Sequence, residues 1–181
     1  DDALHYFNNA KDIFEDLEND VGAAVATNNI GEIYRMKGDL NNALLYYNRS
    51  MTLNETANNL RLKAITLENI GHINSLLGDK DKALEYYNNS LEIYKNIDDF
   101  VGRSQLYLLI AEENIVANEF EDAHRSYENA YQLAMENNQW EQIKESALGL
   151  SRVLENKGDY EKSLKFLRIY ARYNDSIIKK Q

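Results

Sequence analysis

The sequence predicts an all-α solenoid of stacked helix pairs, and three observations carry the prediction. Small residues recur at a spacing of 40, with Gly31, Gly71, Ala111 and Ser151 in one column and Ala43, Ala83, Ala123 and Ser163 in another. Turn-forming pairs fall in the same frame, Gly38-Asp39, Gly78-Asp79, Asn118-Glu119 and Gly158-Asp159, and so do the bulky residues Tyr47, Tyr87, Tyr127 and Leu167. Between the turns the apolar residues are offset by three and four, which matches one face of a helix and not the alternation of a strand. Self-similarity at a period between about 20 and 50 residues marks a chain whose units bury their apolar faces against their neighbours.

Taken in order, residues 1–20 align with 41–60, Ala3-Leu4 over Ala43-Leu44 and Phe7 over Tyr47, and read as the second helix of a pair without its first. In the first full unit, 21–60, Ala24, Thr27, Ile30, Gly31 and Tyr34 share a helical face, and Gly38 ends that helix because glycine enters the left-handed conformation freely. Asp39 caps the next helix, whose apolar stripe is Leu40, Ala43, Leu44, Tyr47 and Met51, and Asn58-Asn59 close the unit. The second unit, 61–100, repeats this with Gly71, Gly78-Asp79, Ala83-Leu84 and Tyr87 and closes on Asp98-Asp99. The third, 101–140, keeps Ala111, Ala123 and Tyr127, closes on Asn137-Asn138, and puts Asn118 in place of the turn glycine, the next best left-handed residue. The fourth, 141–181, carries Ser151, Gly158-Asp159, Ser163 and Leu167. This predicts nine helices in a single domain, a fragment of a longer protein that would supply the missing first helix. The small columns let paired helices approach closely, and the tyrosines fill the space between as buried rings whose hydroxyls reach water or a backbone carbonyl.

Composition and charge exclude several classes. The 181 residues contain no proline to break the helices and no cysteine to cross-link them, which leaves the compartment open between cytoplasm and periplasm. The longest apolar run, around Leu106 to Ala111, is far below the ~20 residues of a membrane helix, so this segment does not insert into a bilayer. A net charge of -10 argues against nucleic acid, whose phosphates reward clustered Lys and Arg. The charge is uneven: residues 1–20 hold seven acids and one base, 141–181 hold six acids and nine bases. End-to-end pairing, a basic end near anionic lipid or another domain, and an ordinary solvated surface all fit that asymmetry. With Ala3, Leu4, Phe7 and Ile13 partly bared on the half repeat, it predicts weak self-association, head to tail or head to head. His5, His72 and His124 sit in different units without companion ligands, so no metal site is expected. Neighbouring acids such as Glu112-Glu113 face different directions on a helix, and no phosphate loop or nucleophile elbow is present. No enzyme and no cofactor are expected.

The succession of small residue, aromatic, Gly-Asp turn, Ala-Leu and aromatic, present as Gly31, Tyr34, Gly38-Asp39, Ala43-Leu44 and Tyr47, resembles the tetratricopeptide repeat. The second unit departs from it by Asn74 at the first aromatic position, the third by Asn114 and the fourth by Leu154. The family's usual proline is missing throughout and the period is 40, not about 34, which resembles its longer-helix variety. The resemblance covers the whole chain. It implies antiparallel helix pairs wound into a right-handed superhelix, with the first helix of each pair on the concave wall.

On that wall the resemblance places Asn28, Asn29, Glu32 and Arg35 from the first unit, and Ile65, Glu68, Asn69 and His72 from the second. The third gives Gln105, Leu108, Leu109 and Glu112, the fourth Glu145, Leu148, Arg152 and Glu155. Asn29 and Asn69 share a register in which an amide can donate to and accept from an extended backbone, and in which it can equally bond a neighbouring helix. Members of the family that grip a terminal carboxylate use Lys and Arg here. Asn28, Glu32, Glu68 and Glu112 stand in those places, which favours a mixed or basic ligand. The tail from Tyr170 to Lys180 resembles the segment closing the repeat array in bacterial sensor histidine kinases and helix-turn-helix regulators. The implied function is a protein- or peptide-binding scaffold or sensor, the regulatory part of a bacterial signalling protein. The alternative is an architectural spacer or dimerisation stalk whose groove takes no ligand.

Overall fold

The computed structural model describes residues 2–178; Lys179 and Lys180 of the basic tail lie outside the described residues. Nine helices and no strand occur among them: α1 (Asp2–Asp16), α2 (Asp20–Met36), α3 (Leu40–Thr56), α4 (Leu60–Leu76), α5 (Lys80–Asn96), α6 (Phe100–Val116), α7 (Phe120–Glu136), α8 (Trp140–Asn156) and α9 (Tyr160–Ile178).

The turns between helices follow a period half that of the sequence repeat. Glu18, Gly38, Asn58, Gly78, Asp98, Asn118, Asn138 and Gly158 all take positive φ, from 50° to 79°. Each lies just beyond a helix end, where the left-handed conformation lets the following N–H reach back to the last turn: Asp39 N–H donates to Tyr34 O at 2.9 Å and Asp79 N–H to Asn74 O at 2.9 Å. The next residue starts the next helix. Asp39, Asn59, Asp79 and Asp99 accept from the N–H of Asn42, Leu62, Lys82 and Gly102, while Glu119 and Gln139 make no such bond.

The chain divides into two compact units at Ile97, one holding α1 to α5 and the other α6 to α9. In the first unit α2 and α3 are antiparallel, since Ala24 O accepts from Ser50 Oγ at 2.9 Å while Glu32, further along α2, accepts from the earlier Tyr47 hydroxyl at 2.8 Å. α4 runs antiparallel to α3, with Lys63 paired to Glu55 at 2.9 Å and Thr66 beside Ser50. It lies parallel to α2, because Asn28 meets Asn69 and Arg35 meets His72, each about one repeat on. α2 and α4 therefore share a face, and α3 and α5 lie behind it. Ser90 on α5 donates to Ala64 O at 2.8 Å, repeating the Ser50 bond one unit later.

Ala43, Tyr47, Ile70 and Ile73 form a core cluster of this unit, against which Tyr34, Leu40, Leu44, Met51 and Tyr86 pack. The small column does what its spacing predicts. A Cβ on Gly31 would stand 2.8 Å from the Tyr47 ring and one on Gly71 2.7 Å from Tyr87, so both tyrosines lie directly against helix backbone. Each ring is buried and worth roughly 2–3 kcal/mol in burial. On the half repeat, Leu4 and Phe7 are half-buried while Ala3, Tyr6 and Ile13 are exposed.

The second unit is built alike. Leu108, Ala111, Ala123, Tyr127, Ala130, Leu150 and Val153 form its core, flanked by Tyr107, Ile115, Phe120, Tyr131 and Phe166. Ser104 on α6 donates to the Gln139 side chain at the start of α8, which holds α6 and α8 side by side. Ser151 and Ser163 share a hydrogen bond of 3.0 Å where α8 crosses α9, and Tyr131 meets Phe166 edge-on.

Candidate functional site

α2 and α4 carry the first eight residues singled out above. Adjacent residues on a helix are about 100° apart, so Asn28 and Asn29 cannot both look outward. Asn28, expected on the exposed wall, is buried instead: its Oδ1 accepts from Thr66 Oγ1 at 3.3 Å and from Asn69 Nδ2 at 3.2 Å. Thr66 in turn meets Ser50 and Asn54, which makes a polar seam between α2, α3 and α4. Asn29 and Asn69 are half-buried, and Asn69 spends one donor on that seam.

Glu32 accepts from Arg35 Nε at 2.8 Å, from a second Arg35 nitrogen, and from the Tyr47 hydroxyl at 2.8 Å. These bonds, Arg35's first, hold its carboxyl below the usual range. Arg35 Nη1 also lies 3.5 Å from His72 Nε2, and Glu68 accepts from the Tyr94 hydroxyl at 3.5 Å. The polar groups of this face are largely turned on one another.

The face shared by α6 and α8 is different. Gln105, Leu108, Leu109 and Glu112 from α6 and Glu145, Leu148, Gly149 and Arg152 from α8 surround a cavity of about 290 Å³ whose floor is the Tyr127 ring from α7. Gly149 brings that ring close: a Cβ there would stand 2.3 Å from Tyr127 Cε1. The Tyr127 hydroxyl donates to Glu112, and burial followed by that bond pushes the phenol's pKa up.

Glu145 is exposed as a residue, yet its carboxyl is shielded enough that loss of water raises its pKa, with Glu141 and Glu112 adding to the rise and Lys144 opposing it. Among the described residues neither Glu145 nor Arg152 makes a hydrogen bond or ion pair. Arg152 also borders a second hollow with Glu155, between α8 and Tyr160, Leu164 and Leu167 of α9.

Of the residues expected on the wall, the structure thus brings Gln105, Leu108, Leu109, Glu112, Glu145, Leu148 and Arg152 around one cavity. The tyrosine hydroxyls were expected to reach water or a backbone carbonyl. Those of Tyr47 and Tyr127 reach carboxylates instead, each 15 residues earlier in the chain. The signal was present, since Glu32 and Glu112 occupy one column of the repeat and Tyr47 and Tyr127 another. Gly149 stands where the preceding units have Asn29, Asn69 and Leu109, and the missing side chain lets the Tyr127 ring pack directly against α8. Among the described residues no group of three or more His, Asp or Glu could hold a metal ion, and no helix is long and apolar enough to cross a membrane.

Two-helix units joined by identical left-handed turns, with alternate helices sharing a face, define a helical-repeat protein. The chain belongs to the tetratricopeptide repeat family: models of the tetratricopeptide repeat match residues 1–56 and 64–97. Among solved structures it is similar to BtubC (BKLC) from P. vanneervenii, at 15% identity and a TM-score of 0.78, over 87% of this chain and 65% of that one. It is similar to the apo form of RapI at 15% identity and a TM-score of 0.69, over 97% and 77% of the two chains. A signal transduction ATPase with numerous domains that carries a tetratricopeptide repeat sensor, from Pyrococcus horikoshii, matches at 14% identity and a TM-score of 0.80. That alignment covers 98% of this chain and 28% of the larger protein. The chain therefore spans just under two thirds of the first of these and about a quarter of the last, and the likeness is one of fold. No curated protein matches the sequence.

Proposed function

We propose that the chain is a protein-interaction module that binds an extended segment of a partner along the faces formed by its first helices, as the sensing part of a bacterial signalling protein. The observation that carries this reading is the α6–α8 face. It combines apolar walls with a charged rim whose Glu145 and Arg152 have no hydrogen-bonding partner among the described residues. A ligand that covers this face has to replace the water on these two groups with bonds of its own, which selects for a polar or charged partner. The likeness to a signal transduction ATPase that carries a tetratricopeptide repeat sensor supports the sensing role. No residue set for catalysis accompanies the face, and the reading requires none.

The α2–α4 face favours the spacer reading for the first unit, since Asn28, Asn69, Glu32 and Arg35 are bonded within the fold. Selection from a display library of random peptides, followed by hydrogen exchange on the complex, tests the proposal. Selected peptides should protect amides of α6 and α8. A library that yields no binder to either unit refutes it in favour of the spacer. On the α2–α4 face Asn29→Ala should leave affinity and stability nearly unchanged, whereas Asn69→Ala should lower stability in urea unfolding by about 1 kcal/mol through loss of its bond to Asn28, with peptide affinity unchanged.

A further inference from the structure

The α6–α8 cavity has a shape and a charge that together specify what enters it. About 290 Å³ is at the small end for a ligand pocket and suits one long side chain better than a whole small molecule. Its walls are the methyl-bearing side chains of Leu108, Leu109 and Leu148, and its floor is the edge of the buried Tyr127 ring, packed against Gly149. Two carboxylates, Glu112 and Glu145, stand at the rim against one guanidinium, Arg152.

Glu112 uses one acceptor position on the Tyr127 hydroxyl and keeps the rest, since a carboxylate has about four. Glu145 uses none on the described residues. An anionic group would meet two like charges here, and a purely apolar one would cover Glu145 without replacing the water it loses. A Lys or Arg side chain answers both demands, because its methylene stem packs on apolar walls while its head stays at the polar rim.

We propose that this cavity is a subsite for the side chain of a Lys or Arg carried by an extended peptide, its stem on Leu109 and Leu148 above Gly149 and its charged head between Glu112 and Glu145. The proposal rests on the groove reading above and gives it a ligand chemistry. The α2–α4 face has no counterpart, because Asn29 and Asn69 occupy the register that Leu109 and Gly149 fill on α6 and α8, and Glu32 is already held by Arg35. Arg152 sets the orientation: its guanidinium repels a cationic head from its own side of the cavity and leaves Glu112 and Glu145 as the place for it.

The test uses the full chain with methyl-labelled leucine and capped alanine pentapeptides whose central residue is Lys, Arg, citrulline, norleucine or Glu. The Lys and Arg peptides should shift the Leu109 and Leu148 methyl signals saturably, at least about tenfold more tightly than the citrulline and norleucine peptides, as expected of charge-assisted bonds. The double variant Glu112→Gln, Glu145→Gln keeps an acceptor for Tyr127 and should lose that tenfold preference with an unchanged helical spectrum.

Equal binding of norleucine or citrulline, tighter binding of Glu, or shifts confined to other leucines would each overturn the subsite. So would the absence of any shift up to the solubility limit of the peptides. The display selection separates these failures from failure of the groove: selected peptides that protect α6 and α8 but carry no basic residue sink the subsite alone, and a selection that yields nothing sinks both.

Discussion

Replacing Gly149 by Ala probes how tightly the second unit is packed. The added Cβ would stand 2.3 Å from Tyr127 Cε1, 2.4 Å from Cζ and 2.5 Å from Cδ1, against a comfortable carbon–carbon separation of about 3.5–4.0 Å. The ring has to retreat by more than about an ångström, yet Tyr127 is 3% exposed and its hydroxyl is tied to Glu112. Overpacking of this kind costs roughly 1–3 kcal/mol, and weakening the hydroxyl–carboxylate bond about 1 kcal/mol more. Helix propensity returns about 1 kcal/mol, because Ala replaces Gly within a helix. The expected net loss is about 2 kcal/mol, or roughly 4–8 °C in thermal midpoint for a chain of this size. Urea unfolding of Gly149→Ala followed by circular dichroism measures it. A second measurement in a Tyr127→Leu background should show most of the penalty gone, since the ring atoms in conflict are then absent. A Gly149→Ala protein as stable as the parent, or a penalty unchanged without the ring, refutes the packing argument.

Other outcomes follow from the same contacts. Tyr47 and Tyr127 have raised pKa values, chiefly from burial. Their contribution is therefore complete below the unfolded value near 10 and declines above it by about 1.4 kcal/mol per pH unit for each, so alkaline titration should reveal them only on unfolding, and Tyr47→Phe should make the decline shallower. Glu32 runs the other way: its carboxyl is lowered by Arg35, so its contribution is present at neutral pH and lost as pH falls through the carboxylate range, and Glu32→Gln should flatten the acid limb of a stability–pH profile. Ser50→Ala should destabilise more than Ser90→Ala, by about 1 kcal/mol in chemical denaturation, because Ser50 also serves Asn54, whereas among the described residues Ser90 makes only the bond to Ala64 O. Glu18→Gly should raise the thermal midpoint slightly, by about 0.5–1 kcal/mol of stability, since Glu18 holds φ of 52° with no side-chain advantage there.

The helices and their turns were legible because each is a local decision. A left-handed residue, a capping carboxylate and an apolar stripe lie within a few residues of one another and repeat, so the frame that predicts Gly38-Asp39 also predicts Asn118. Most of the α6–α8 cavity was legible too, since positions 105, 108, 109 and 112 follow helical spacing. The fate of Asn28 was not, because it depends on which way one asparagine rolls relative to Thr66 and Asn69, some 40 residues away in sequence. Neither was the pairing of Tyr47 with Glu32 and of Tyr127 with Glu112, which exists only once antiparallel packing brings a second helix across the first. The sequence reads as one uninterrupted array, and nothing in its 40-residue register marks Ile97 as the point where the fold divides into two units.

The left-handed residue that recurs after every helix has a consequence for how such a chain can grow or shrink. As punctuation, the backbone counts in twenties: each turn from Glu18 to Gly158 has the same geometry and would accept any helix on either side. The side chains count in forties, because Gly31 and Gly71 are shaped for Tyr47 and Tyr87 and not for each other. Removing a single helix with its turn would leave every hairpin sterically sound along the main chain. It would also set tyrosine against tyrosine on one side and hollow against hollow on the other. Length changes in this lineage are therefore viable in steps of a whole pair, and a genetic event that copies or deletes half of one produces a chain with good grammar and no meaning.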